Sequence, residues 1–544
     1  MKRPHFLTRA KILATSSVVT AALLLAGCAG GGESASESSG EPVSGGSLTY
    51  ALATDIDCLD PAKSPGNSIV VGNIVDSLVY QDVDGNIAPW LASSWTVSED
   101  GLQYTFELRD GVTFSDGTPL DAAAVKYNFD RIRNPETGSS YAASVIGEYS
   151  EGIVDGPLTF RLVLNTPVTA LLQGLSLAYL GIQSPTYLEA QGADTCGSII
   201  GSGPFVLQQA VKGQSYELTR RDGYDWPFEG AEHAGNAYLD SVTYNVVNEG
   251  SVRVGGLTSG QYDLIYSIAT SQLGAVKANP DVEVLDYTAP GIANAIAINA
   301  TSPIFSDPNV RKAFQTAVDV DTLVDAALFG QTEPARGPVS PTSKYFDESV
   351  ADSYGYDPDE ANRLLDEAGW NEKNSDGIRV KDGQPLKPVL FTFPDPAQDL
   401  LSLLASIQQE VRKVGIDLDV QSFDRTTWNT KINANEYDLH VHSYFRADPD
   451  IARTVYSTAF EPPNGYTFAR PQDPALEELL QSGSRTPDGP ERQEIYEKIQ
   501  HEVIDQGFSL PLYANQRTFA YKKDVHGVRV TGTSVPYLYD VWVG

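Results

Sequence analysis

Strand-like and helix-like segments interleave along almost the whole of this 544-residue chain, which commits it to a mixed α/β architecture. From residue 46 to about 163 the pattern is short alternating strands cut by turn dipeptides. Residues 104–109, Tyr-Thr-Phe-Glu-Leu-Arg, alternate between the turns Asp100-Gly101 and Asp110-Gly111. Over 121–133 the period becomes helical, with Val125, Phe129 and Ile132 on one face behind an Asp121 cap. Asp307-Pro308 and Asp357-Pro358 each set a capping Asp before a Pro at the first helical position, and Glu360 stands at capping-box spacing from Asp357. Residues 401–414 repeat apolar side chains at Leu404, Ile407, Val411 and Val414 and stop at Gly415; 416–420 then alternate as a strand. No internal repeat is visible.

The N-terminus predicts export. Lys2, Arg3, Arg9 and Lys11 precede an apolar run over 12–25, which is too short to span a bilayer comfortably and has the layout of a secretory signal peptide over 1–27. The run closes on Leu25-Ala26-Gly27-Cys28, which resembles the bacterial lipobox, so Cys28 is the expected lipidation site and the mature protein is expected to be membrane-anchored through lipid alone. A soluble exported protein in which Cys28 is incidental is the alternative. Residues 28–46 carry almost no apolar side chains and read as a flexible tether. As a Gly/Ser coil such a tether spans roughly 20–25 Å.

About 500 residues remain, more than one core usually serves, so two or three domains are expected. Loss of the four leader cations takes the formal charge from −33 to −37, a surface that repels nucleic acid. Beyond Cys28 the cysteines are Cys58 and Cys196, an even remainder in an oxidising compartment. A disulfide between them is the economical reading, and two separately buried thiols the other.

Several stretches then spell a family. They are Leu59-Asp60-Pro61, Phe-Ser-Asp-Gly-Thr-Pro-Leu at 114–120, Gly-Ser-Gly-Pro-Phe at 201–205, Val-Arg-Lys-Ala-Phe-Gln-Thr-Ala-Val-Asp at 310–319, and the run from Tyr356 to Trp370. Together they resemble the extracellular solute-binding proteins of peptide/nickel-type ABC importers, family 5. The resemblance implies a two-lobed periplasmic-binding-protein-like clamp (type II, cluster C) with an extra subdomain in the first lobe. Lobe 1 is expected from 47–80, 199–290 and 506–544, the extra subdomain from 81–198, and lobe 2 from 291–505. It further implies a monomer without a cofactor, which takes a small solute, most often a short peptide, and passes it to permease subunits. Nickel chelates, opines, oligosaccharides and glutathione are other cargoes of this scaffold.

The stretch 437–450 reads as a strand ended by the turn Asp448-Pro449-Asp450. In relatives it faces the cleft, so Tyr444, Phe445, Arg446, Asp448 and Asp450 are candidate ligand contacts. In peptide binders an Asp before the turn pairs with the ligand ammonium, and Asp448 is the nearest candidate. Arg446 has the fork geometry that matches a carboxylate, or else it braces the loop through Asp448 or Asp450. Asn67 and Ser68, after Asp60-Pro61, are candidates for backbone-like pairing with an extended peptide. Trp428 resembles a cleft tryptophan of peptide binders, a core tryptophan on a helix over 426–432 being equally compatible. His440 and His442 share one strand face, but no third ligand lies nearby and a structural pair is the better reading than a metal site. No nucleophile elbow, zinc-protease motif, phosphate loop or dinucleotide fingerprint is present. A lipid-anchored hydrolase built on an unrecognised carboxylate pair, and a receptor- or chaperone-like surface protein, are the competing classes.

Overall fold

The computed structural model describes residues 40–64, 68–394, 399–532 and 535–544. The leader, Cys28, most of the tether and Asn67 lie outside these. Two sheets organise the chain from Pro42 onward. The larger has seven strands in the order Val282–Thr288, Gln516–Lys522, Leu264–Tyr266, Ser47–Leu52, Ser241–Val246, Ser215–Arg220, Phe205–Val211. Ser47–Leu52 runs parallel to both its neighbours, and the helix Gly250–Thr258 forms the crossover between those two. The second sheet has five strands, Asp419–Ser422, Val389–Thr392, Leu439–Phe445, Gly291–Ile298 and Ser509–Tyr513.

A four-stranded antiparallel sheet, Ala92–Val97, Gln103–Leu108, Thr159–Leu164 and Tyr149–Gly156, carries the helix Ala122–Arg133. It is not a separate core. Phe106, Phe129 and Phe160 belong to the same apolar cluster as Tyr50, Val242 and Leu264 of the seven-stranded sheet. That continuity makes the two sheets one lobe. The five-stranded sheet is covered on both faces instead. Ile296, Ile298, Leu390 and Leu510 pack into one cluster, while Ile292, Ala297 and Phe391 pack into another. The near-continuous apolar run over 291–298 is what a strand buried on both faces requires.

Local signals decide the ends of several elements. Asp121, Asp307 and Asp357 each accept from backbone N–H groups of the helix that follows, and Pro308 and Pro358 stand at the start of theirs. The capping box at Asp357 is only half formed. Its N–H goes to Thr316 O (2.9 Å), and Glu360 is drawn away by Arg363 Nε (2.7 Å). The helix expected at 401–414 spans Asp399–Lys413. The strand expected at 416–420 begins only at Asp419. Ile416 N–H is consumed by Val411 O at the helix end (3.1 Å), and Asp417 N–H by Leu386 O (2.9 Å). Cys58 and Cys196 are joined by a disulfide, beside which Leu59 N–H bonds Cys196 O (3.0 Å). No helix among the described residues is long and apolar enough to cross a membrane.

Candidate interlobe ligand site

The chain passes between the sheets twice. Strand Val282–Thr288 leads into Gly291–Ile298, and Ser509–Tyr513 leads into Gln516–Lys522, so the two crossings run side by side. Ala289 N–H bonds Asn515 O (2.7 Å), and Asn515 Nδ2 donates to Ile292 O (2.5 Å). Gly291 has φ of +125°, and a Cβ there would stand 2.0 Å from Tyr444 O. Only glycine lets this crossing lie against the strand Leu439–Phe445.

Beyond the crossings the lobes touch at several points. Arg446 Nε donates to Gln173 Oε1 (2.8 Å), and Thr169 bonds Ser484 O (3.0 Å) through its N–H and Thr486 O (2.9 Å) through its hydroxyl. Thr270, first residue of the helix Thr270–Lys277, donates through N–H and hydroxyl to the Asp399 carboxylate (3.0 Å each). That helix end has no side-chain cap of its own, and a carboxylate from the other lobe supplies it.

Between these contacts lies a phenol-rich aromatic cluster. Tyr50, Tyr141, Tyr179 and Tyr266 come from the first lobe, and Tyr444, Phe445 and Tyr466 from the second. Tyr141 meets Tyr179 edge-on at 5.1 Å and Tyr466 at 6.1 Å, and Tyr444 lies 5.7 Å from Tyr466. Tyr50 packs edge-on to Tyr266 at 6.0 Å. Desolvation raises the phenols of Tyr50, Tyr141, Tyr179 and Tyr444, so they stay protonated donors at any physiological pH.

Arg517 sits where the second crossing enters the seven-stranded sheet. Its Cζ lies 3.9 Å from the Phe445 ring centroid, and Tyr266, Tyr179 and Tyr50 are its electrostatic neighbours. Burial lowers its pKa without displacing the charge from neutral pH. Sequence reasoning missed it. The available signal was an arginine on the same strand face as buried Phe519, in an otherwise ordinary alternating strand.

The residues expected to line the cleft fall in different places. Tyr444 and Phe445 join the aromatic cluster through Tyr466 and Arg517, and Ser68 Oγ accepts from the Tyr179 hydroxyl (3.4 Å). Arg446 is 3 % exposed and committed to Gln173, not to either aspartate of its loop. Asp448 receives a bidentate pair from Arg492 (2.7 and 3.1 Å), and Asp450 is held by Arg453 (3.0 and 2.9 Å). Both carboxylates are thereby neutralised within lobe 2, which stiffens the turn before the helix Ile451–Tyr456. Trp428 is buried on the helix Arg425–Asn433, in contact with Phe393 and Phe468, and its Nε1 donates to His440 Nε2 (3.0 Å). His440 stacks on Phe468 at 4.1 Å. Burial holds His440 well below the usual imidazole range and His442 down to about 3, so both are neutral. No group of three or more His, Cys, Asp or Glu that could hold a metal occurs among the described residues.

Residues 86–466 match the family described as bacterial extracellular solute-binding proteins, family 5 (middle). The glutathione-binding protein GsiB of Salmonella paratyphi A is 26% identical over 88% of this chain and 91% of its own. The nickel-binding periplasmic protein of Escherichia coli K12 is 26% identical over 86% of this chain and 88% of its own. Among solved structures, NikA from Brucella suis in complex with Fe(III)-EDTA superposes with a TM-score of 0.78, at 26% identity over 92% of this chain and all of its own. The two relatives are binding proteins by name, and the hydrolase reading falls with them and with the family. A two-lobed α/β clamp with paired crossings, matched over most of its length, makes this chain a member of the extracellular solute-binding proteins of family 5.

Proposed function

We propose that this protein captures a short peptide or peptide-like solute between its lobes and delivers it to the permease of an ABC importer. The observation that carries this reading is the cluster of phenols around the Arg517 guanidinium, drawn from both lobes beside the two crossings about which the lobes would hinge. Phenol hydroxyls satisfy amide and carboxylate oxygens, and the rings cover apolar side chains, a combination suited to varied peptides. Similarity to a glutathione-binding protein, whose cargo is a tripeptide, supports the same class. We further infer that Cys28 carries the lipid anchor, that the protein acts as a monomer, and that Ser68, Tyr444 and Phe445 touch the cargo. Arg446 then helps to hold the lobes shut, and Asp448 and Asp450 stiffen the loop beside the aromatic cluster. Asn67 remains a candidate beside Ser68.

A metal chelate is the second reading, favoured by similarity to a nickel-binding protein and to a structure holding Fe(III)-EDTA. Mass spectrometry of the small molecules retained through native purification, with metal analysis of the same sample, tests both. A peptide-like mass without stoichiometric metal is the expected result. Retained metal replaces the peptide reading with the chelate one, and a retained neutral sugar overturns both.

A further inference from the structure

The interlobe aromatic cluster contains a cation that the protein does not answer. The chain has 71 acidic residues against 38 basic ones, and most of its buried arginines are claimed by carboxylates or carbonyls. Arg253 donates to four backbone oxygens, Arg311 to Gln506 and Phe305, and Arg492 to Asp448 and Asp488. Arg517 is different. No ion pair or side-chain hydrogen bond to it occurs among the described residues, and its buried Nε has no acceptor. Beside it, the Tyr50 hydroxyl is fully buried and likewise has no hydrogen-bond partner. Leaving one buried donor unpaired is costly, and here the Nε of a half-buried arginine and a buried phenol hydroxyl lie unpaired in one neighbourhood. A guanidinium stacked on a ring keeps its N–H edge free for a planar partner.

We propose that Arg517, with the Tyr50 hydroxyl, forms a seat for an anionic group of the cargo within the interlobe aromatic cluster, so that this clamp selects solutes bearing a carboxylate or another planar oxyanion. The idea deepens the peptide reading and rests on it. Arg517 and Tyr50 come from lobe 1 and the Phe445 ring that covers the guanidinium from lobe 2, so the seat is covered only when the lobes approach. An anion held there is shielded from water by closure, and its binding favours the closed state.

The experiment is calorimetry on the full chain with matched probes. One pair is an equimolar tripeptide pool with free C-termini and the same pool C-terminally amidated; the other is glutathione and its diethyl ester. The wild-type protein is expected to bind an acid at least tenfold more tightly than its carboxylate-capped partner, neutral at the capped end. Arg517→Gln should abolish that preference, and Arg517→Lys should keep part of it, because an ammonium retains the charge and loses the fork. A mere brace across the hinge would change overall affinity or melting temperature without changing the ratio of acid to neutral probe. Equal affinity of the wild-type protein for acid and neutral partners overturns the anion seat and leaves the peptide reading standing. So does a preference that survives in Arg517→Gln. Binding of none of the four probes overturns the peptide reading itself. The comparison within the wild-type protein needs no variant to fold.

Discussion

Asp76 offers the sharpest test of how burial sets the energetics of lobe 1. It lies fully inside the protein, accepting from Trp226 Nε1 (3.0 Å) and the Tyr224 hydroxyl (3.3 Å), with the Arg221 guanidinium 5.0 Å from the Trp226 ring centroid and acting on the same carboxyl. Desolvation outweighs these partners and pushes the carboxyl up to about 7, from an ordinary value of 3.8. The folded protein thus keeps a proton that the unfolded chain has already released. Its contribution to stability is complete below the unfolded value and declines as the pH rises, until it is exhausted above the folded one. Between pH 5 and pH 8 the loss amounts to about 3 kcal/mol, at roughly 1.4 kcal/mol per pH unit over the two units in which the folded group stays protonated. Asp76→Asn removes the titration while keeping the shape. Urea unfolding of both proteins at pH 5, 6, 7 and 8 should show the variant gaining on the wild type by about that amount, most of it before pH 7. The pH dependence of other groups cancels in the difference. A difference that does not vary with pH, or one that moves against the variant as pH rises, refutes the claim that a neutral carboxyl sits at this position.

Replacing Cys58 and Cys196 by Ser should lower stability by about 2–5 kcal/mol, since the bond closes a loop with a sequence separation of 138; an unchanged urea midpoint in the double variant contradicts this. Arg446→Met should weaken closure by about 1–2 kcal/mol through loss of the Gln173 contact, while the melting temperature of the unliganded protein hardly moves. Interlobe distances from paired spin labels check it, and an unaltered distribution rules it out. Cys28→Ser should release the protein to the medium or leave an uncleaved precursor, and undiminished lipid labelling of the variant would exclude Cys28 as the anchor.

Elements whose ends are written in local chemistry were legible in the sequence. Asp-Pro pairs marked the helices Pro308–Thr316 and Pro358–Glu367, and the turn over 448–450 marked the end of Leu439–Phe445. The pairing of Cys58 with Cys196 was readable because only two cysteines were left to pair. Where a backbone group had a rival partner, local reading slipped, as at Ile416 and Glu360. The aromatic cluster was legible only in part. Tyr444 and Phe445 lie in a stretch whose composition draws attention, whereas Arg517 lies 72 residues beyond Phe445 and meets it only through the second crossing. Its setting among Tyr50, Tyr179 and Tyr266 is a product of topology, to which no window of sequence has access. The pairings Arg446–Gln173 and Asp448–Arg492 were invisible for the same reason.

The strand Gln516–Lys522 has a consequence for how the protein comes into being. It is not an edge strand: it separates Val282–Thr288 from Leu264–Tyr266, pairing with both. The lobe that is begun first in synthesis is therefore completed only by residues that follow the whole five-stranded sheet in sequence. Until they arrive, Leu264–Tyr266 and Val282–Thr288 present bare backbone edges and the apolar cluster lacks Phe519. A growing chain therefore carries its first lobe incomplete until the strands of the second have been made.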